Sequence, residues 1–397
     1  MSIYRSLGVE PIINATGTVT RLGGAPMPRQ VVEAFCEGAA EWVPLEQLQA
    51  AASRKIAEAT GTQAGLVTGG AAAALTLGTA AILAGEDLGR IERLPHCEGF
   101  PQEILIAREQ RCGYDHAILA AGARFVEVGF NEIVSNAGVR RTELWEYEAA
   151  IGSNTAGIAY RHSADSQPDL AALVELAHSR GLPVIVDAAG ELPPRDNLKL
   201  IPATGADLVA FSGGKAIRGP QSTGILCGSS ELISSAALQM LDMDDHLELW
   251  DPPIELIDRS RLPGIPRHGI GRGFKVAKEE IAAMLVALDL FTSGAYDEEL
   301  PGLRSHLETI VAALTGNRCE CAIKEPASPD RWALLEIAVD ASSIGHDAFE
   351  VCRRLRAGSP PIYVGHGKLA DGVLVVNPLC LDDTQADQLA SRLNEEL

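Results

Sequence analysis

Short runs of β-branched and other apolar residues alternate, through most of the chain, with longer stretches whose apolar positions recur at helical spacing. "AGLVT" (64–68) is predicted as a strand and "GAAAALTLGTAAILAG" (70–85) as a helix that its alanines let pack tightly. The same alternation continues through "EILIAR" (strand), "GYDHAILAAG" (helix), "RFVEVG" (strand), "TELWEYEAAI" (helix), "TAGIAYRHS" (strand) and "DLAALVELAHSRG" (helix). Three further strands follow in "LPVIVDAAG", "ADLVAFSGG" and "TGILCG". Strands separated by helices mean a mostly parallel sheet covered on both faces, an α/β domain. The helical stretch "KVAKEEIAAMLVALDLF" (275–291) bridges out of it. From residue 297 the order changes to "CAIKEP", "WALLEIAVD", "HDAFEVCRRLRAG", "VLVVNP" and "TQADQLASRLNEEL", which reads as a small α+β domain. The expected division is therefore 1–296, including the N-terminal segment and bridging helix, and 297–397.

Length and composition agree with this division. The chain has 397 residues, more than one core usually serves, and its 46% hydrophobic and 22% charged content is ordinary for a folded protein. Its 33 basic against 53 acidic residues leave a formal charge of −20, which opposes binding to phosphate backbones and anionic membranes. No apolar run is long enough to span a bilayer, and the first residues lack the basic and apolar regions of a secretion signal. Eight cysteines are scattered in a chain too long to need disulfide staples, so a reducing, cytoplasmic setting is expected. "CEC" (319–321) lacks partner ligands in matching positions, and no metal site is expected.

Ligands of open α/β sheets bind beyond the carboxyl ends of the strands. Three polar features fall there: Gly69 and Gly70 after "LVT", Asp187 after "VIV", and Ser212 to Lys215 after "LVAF". "SGGKAIRG" is not a Walker phosphate loop, because the first glycine of that motif and the Ser or Thr after the lysine are missing. "GIGRG" (269–273) follows no strand and makes a poor dinucleotide fingerprint. Pyridoxal 5'-phosphate (PLP) accounts for more. Its aldehyde needs a lysine amine, its pyridine nitrogen a carboxylate, and its phosphate the amides of a helix start. Lys215, Asp187 and Gly70-Ala71-Ala72 supply one of each.

Almost the whole chain resembles the selenocysteine synthase (L-seryl-tRNA selenium transferase) superfamily of fold-type-I PLP enzymes, D-glucosaminate-6-phosphate ammonia-lyase-type members included. The resemblance is carried by "PIINATGTVTRLGGAPMP", "AGARFVEVG", "VIVDAAG", "GRGFKVAKEEIAAMLVAL", "PPIYVGHGKLADGVLVVNPLCL" and, most specifically, "FSGGKAIRGPQSTGIL". It implies that Lys215 is the Schiff-base lysine, Asp187 the pyridinium partner and Ser212 a phosphate or lysine-side contact. It makes Arg272 and Lys275 candidate anion contacts, with Lys278 read as a solvated helix charge. His116 lies where a group could cover the pyridine ring; Tyr114 competes for that role, and a structural histidine is an equal reading. Arg267, His162 and His268 are further pocket candidates, each with a surface or packing reading beside it.

Two departures bear on substrate. The tRNA-charging members carry an extra N-terminal domain, whereas here the cofactor-domain signature begins within the first dozen residues, which argues against an aminoacyl-tRNA substrate. Leu379 in "NPLCL" stands where relatives commonly show an arginine, and leucine cannot grip a carboxylate. The resemblance implies a PLP-dependent lyase for a small β-hydroxy amino acid or amino-sugar acid, acting as a homodimer or larger homo-oligomer. Aldolase, racemase, aminotransferase, seryl-carrier transferase and non-catalytic PLP-binding readings stay open at this point.

Overall fold

The computed structural model describes residues 2–130, 141–316 and 319–397. Its strands are β1 (Ile13–Ala15), β2 (Ala64–Thr68), β3 (Glu103–Ala107), β4 (Arg124–Val128), β5 (Thr155–Arg161) and β6 (Val184–Asp187). There follow β7 (Leu208–Ser212), β8 (Gly224–Gly228), β9 (Cys319–Lys324), β10 (Leu334–Val339), β11 (Ile362–Val364) and β12 (Val373–Val376). The chain forms two compact units, Met27–Asp289 and Met1–Pro26 with Leu290–Leu397.

The larger unit is built on a seven-stranded sheet in the order β2-β8-β7-β6-β5-β3-β4. β8 runs antiparallel to both of its neighbours and the other pairings are parallel. Every residue of β2 and β8 is buried, as a sheet covered on both faces requires, whereas in edge strand β4 only Val128 is buried and Arg124 and Glu127 are exposed. The helix Ala71–Ala84 starts directly after β2, and its small side chains let Ala73 to Ala81 lie buried along the sheet. Helices Leu45–Thr60 and Ser230–Met240 also belong to this unit, though the sequence pattern did not mark them out.

The smaller unit joins the antiparallel sheet β12-β10-β9 to a parallel pair, β1 with β11. Leu335, Ile337, Leu374 and Val376 pack against Leu307, Ile310, Leu355 and Leu389 from its helices. The N-terminal segment, expected in the large domain, pairs here instead because Ile13 and Ala15 fill this apolar core beside Ile362 and Val364. The division in the bridging helix falls after Asp289, before the expected boundary at 296. Leu379 lies 6% exposed in a small apolar cluster with Ala25 and Leu303. Among the described residues no helix is long and apolar enough to cross a membrane.

Candidate functional site

Parallel order sets the carboxyl ends of β2, β7, β6 and β5 along one sheet edge, and the register names the neighbours. Thr68 stands opposite Gly224 and Gly224 opposite Ser212; Asp187 stands between Ala210 and Arg161. Lys215 follows β7 in a tight turn closed by Gly219 N–H donating to Gly213 O at 2.9 Å. An added Cβ on Gly214 would lie 2.5 Å from Gln221 Cα, so only glycine lets the turn close this far.

Ala189 ties the two principal groups together. Its N–H donates to Asp187 Oδ1 at 3.0 Å, and its carbonyl accepts from Lys215 Nζ at 3.0 Å. Burial pushes the Asp187 carboxyl above its ordinary value. The Ala189 N–H and the charges of Arg161 and Lys215 oppose that rise, while Glu191 adds to it. Glu191 also lies 3.5 Å from His162 Nδ1, and the His162 N–H donates to the Asp187 carbonyl at 2.9 Å. The His162 backbone is thus tied to that of Asp187.

The helix Ala71–Ala84 begins at Gly70, whose φ of +98° suits glycine and which offers no side-chain cap, so the first-turn amides keep their donors. A Cβ on Gly224 would lie 2.5 Å from the Gly70 carbonyl carbon and 2.6 Å from Ala71 N. Replacing Gly224 by Ala is therefore expected to lower stability by about 1–3 kcal/mol through overpacking. A fall in the urea midpoint with an unchanged slope is the measure. Ser212, half-buried opposite Gly224, makes no side-chain hydrogen bond among the described residues.

The remaining candidates divide. Tyr114 lines a small cavity, about 20 Å³, together with Asp187, Gln110, Cys112 and Arg161. His116 is exposed on the short helix Asp115–Ala120 and does not line that cavity. Arg272 and Lys275 share a larger hollow of about 520 Å³ with Gln49, Met240 and Asp242. Arg272 is already committed, through Nε at 3.1 Å and a terminal nitrogen at 2.6 Å, to Asp242 Oδ2. The His268 hydrogen bond, then the Asp244 N–H and Arg272, hold the Asp242 carboxyl down at about 2. Lys275 is exposed, and the 274–275 backbone passes beside Gly69, with Phe274 O 3.1 Å from where its Cβ would be. Lys278 is no solvated charge: its ammonium donates to Gly38 O at 2.5 Å and Ala39 O at 3.2 Å, at the end of the helix Arg29–Ala40. The Arg267 side chain is 87% exposed, 3.9 Å from Glu92.

Two residues were missed in the sequence. Arg161 ends β5 beside Asp187, and its signal is a cation that breaks an apolar run at a strand's carboxyl end. Arg218, 8% exposed at φ 62°, donates its N–H to the Lys215 carbonyl at 3.1 Å. A buried arginine in a left-handed turn leaves no local pattern to read.

Residues 114–244 match the profile of the family described as L-seryl-tRNA selenium transferase. The chain is 30% identical over 407 residues to a 5'-C-glycyluridine monooxygenase-decarboxylase of Streptomyces sp, covering 99% of this chain and 92% of that one. It is 26% identical over 402 residues to the D-glucosaminate-6-phosphate ammonia lyase of Salmonella typhimurium, covering 99% and 97%. A solved D-glucosaminate-6-phosphate ammonia-lyase structure superposes with a TM-score of 0.81 at 25% identity, over 100% of this chain and 98% of that one. Family and fold together imply PLP dependence. This chain belongs to the selenocysteine synthase-like family of fold-type-I PLP enzymes.

Proposed function

We propose that this protein is a PLP-dependent lyase that takes the α-proton from a small β-hydroxy amino acid or amino-sugar acid and expels the β-hydroxyl, giving a keto acid and ammonia. The observation that carries the proposal is the arrangement of Lys215 and Asp187 on the two sides of Ala189, at the carboxyl ends of adjacent strands. The ammonia lyase named among the relatives supports the reaction class and the amino-sugar acid.

The residues fit PLP. The uncapped start at Gly70, Ala71 and Ala72, against which Gly224 leaves no room for a side chain, suits a phosphate, with the Ser212 hydroxyl beside it in register. Asp187 is a carboxylate with one oxygen already held by an N–H, suited to keeping a proton on a ring nitrogen. PLP, when bound, supplies an electron sink for the charge left on the substrate carbon. Lys215 Nζ takes the α-proton, and its small neighbours Gly214 and Ala216 leave the side chain room to swing. Tyr114, not His116, lies in the wall beside Asp187, so we assign it the contact with the ring. Lys275 is the freer cation of the larger hollow and Arg272 the more committed one.

We further propose a cytoplasmic homodimer or larger homo-oligomer. Eight free cysteines support the compartment, and Trp42, Leu249 and Ile254, exposed by 87%, 70% and 73%, support the assembly.

The experiment is a panel of hydroxy amino acids and amino-sugar acids incubated with the PLP-loaded protein. Equal ammonia and keto acid from one of them is expected. Glycine with an aldehyde would make the enzyme an aldolase. Oxygen uptake with carbon dioxide would place it with the monooxygenase-decarboxylase instead.

A further inference from the structure

A second hollow, about 90 Å³, adjoins the Asp187 cavity, and Gln110 and Arg161 line both. Its volume takes several waters or one oxyanion headgroup, not a sugar ring. The Arg161 backbone is fixed on either side: its N–H donates to Gln110 Oε1 at 3.1 Å and its carbonyl accepts from Ser166 Oγ at 2.9 Å. Gln110, 5% exposed, is anchored in turn by its Nε2 donating to Gln167 O at 3.1 Å. The Arg161 guanidinium itself makes no hydrogen bond or ion pair among the described residues.

Neither carboxylate of the hollow pairs with the Arg161 guanidinium. Glu109 is occupied by the Thr142 N–H at 2.7 Å and hydroxyl at 2.8 Å. Asp165, 84% exposed, reaches only Arg141, at 4.0 Å. Ser166 donates to Arg161 O, so the 2.8 Å contact of Ser163 with Ser166 braces the loop, and the donors left to face the hollow are the Arg161 guanidinium and that of Arg141, whose contact with Asp165 is 4.0 Å long. A planar fork of N–H donors matches a carboxylate or phosphate through paired hydrogen bonds. The other candidate cations are engaged by Asp242 or by carbonyls, or lie outside this hollow.

We propose that Arg161, with Arg141, forms an oxyanion subsite that holds one end of the substrate, either its carboxylate or a distal phosphate ester. The proposal rests on the lyase reading for the identity of the substrate but not for the existence of the subsite. Two measurements on the PLP-loaded protein test it. First, inorganic phosphate and acetate are titrated calorimetrically into the wild type, Arg161→Gln and Arg141→Gln. We expect wild-type binding of at least one anion, weakened roughly ten- to hundredfold by Arg161→Gln and less by Arg141→Gln. No wild-type binding, or equal binding by all three, overturns the subsite. Second, the visible band is titrated with D-glucosaminate 6-phosphate, D-glucosaminate and D-glucosaminamide. A loss in Arg161→Gln confined to the phosphorylated compound identifies the phosphate. A loss shared by both acids and absent for the amide identifies the carboxylate. An equal loss for all three overturns the proposal. If none of the three perturbs the wild-type band, the amino-sugar reading fails while the anion titration still decides the subsite.

Discussion

Lys215→Ala is expected to lose turnover by at least about 10³-fold, the scale of a missing acid–base group, and to lose the visible band that borohydride bleaches. Both losses come from one atom. Nζ is the only side-chain nitrogen among the described residues that donates to Ala189 O, the carbonyl of the residue that also holds Asp187. Fold damage cannot produce the same result. The deleted hydrogen bond, from a charged donor, is worth about 1.5–3 kcal/mol, and the turn is closed by backbone bonds from Gly213, Arg218 and Gly219 that alanine leaves intact. The variant should therefore unfold within a few degrees of the wild type. A small primary amine added to the variant should restore part of the turnover, because it returns a proton acceptor to the vacated volume. Retention of both the band and the turnover would remove Lys215 from the chemistry.

Most of the sheet was legible because its strands are buried on both faces and so read as unbroken apolar runs; β2, β7 and β8 show this. Asp187 was legible because it interrupts such a run where the strand ends, and Lys215 because it stands after two glycines just beyond one. The N-terminal strand was not, since Ile13 to Ala15 is three residues long and its partner β11 lies almost 350 residues away. No local period reports a contact at that separation. The charged groups around the site were hardest to read. Lys278 and Arg272 look alike in sequence, yet one meets the carbonyls that end a helix and the other a carboxylate. What a cation does is decided by the partner the fold brings to it, and Arg161 shows the converse. It sits beside Asp187 through strand order alone, because β5 and β6 are parallel neighbours in register.

Asp187→Asn should move activity and stability in opposite directions. Activity should fall by about 10²-fold or more, in line with removal of a fixed electrostatic partner, since an amide cannot balance a protonated ring nitrogen. The cofactor-free protein should become more stable at neutral pH. Burial raises the Asp187 carboxyl above its ordinary value, so the folded state binds that proton more tightly than the unfolded chain does. The resulting stabilisation is complete below the ordinary carboxylate range and is lost as pH rises through the folded value. At neutral pH the wild type therefore carries a buried charge that the Ala189 N–H, Arg161 and Lys215 only partly offset. Asparagine keeps an oxygen for the Ala189 N–H and does not ionise. Urea midpoints of the two cofactor-free proteins should differ at pH 7 and converge as pH falls toward 4. Adding PLP should reverse the order, because the carboxylate then gains the cationic partner for which its burial prepares it. If the variant is the less stable of the two without PLP at pH 7, the three favourable contacts outweigh burial, and Asp187 is held as a settled anion with no cofactor present.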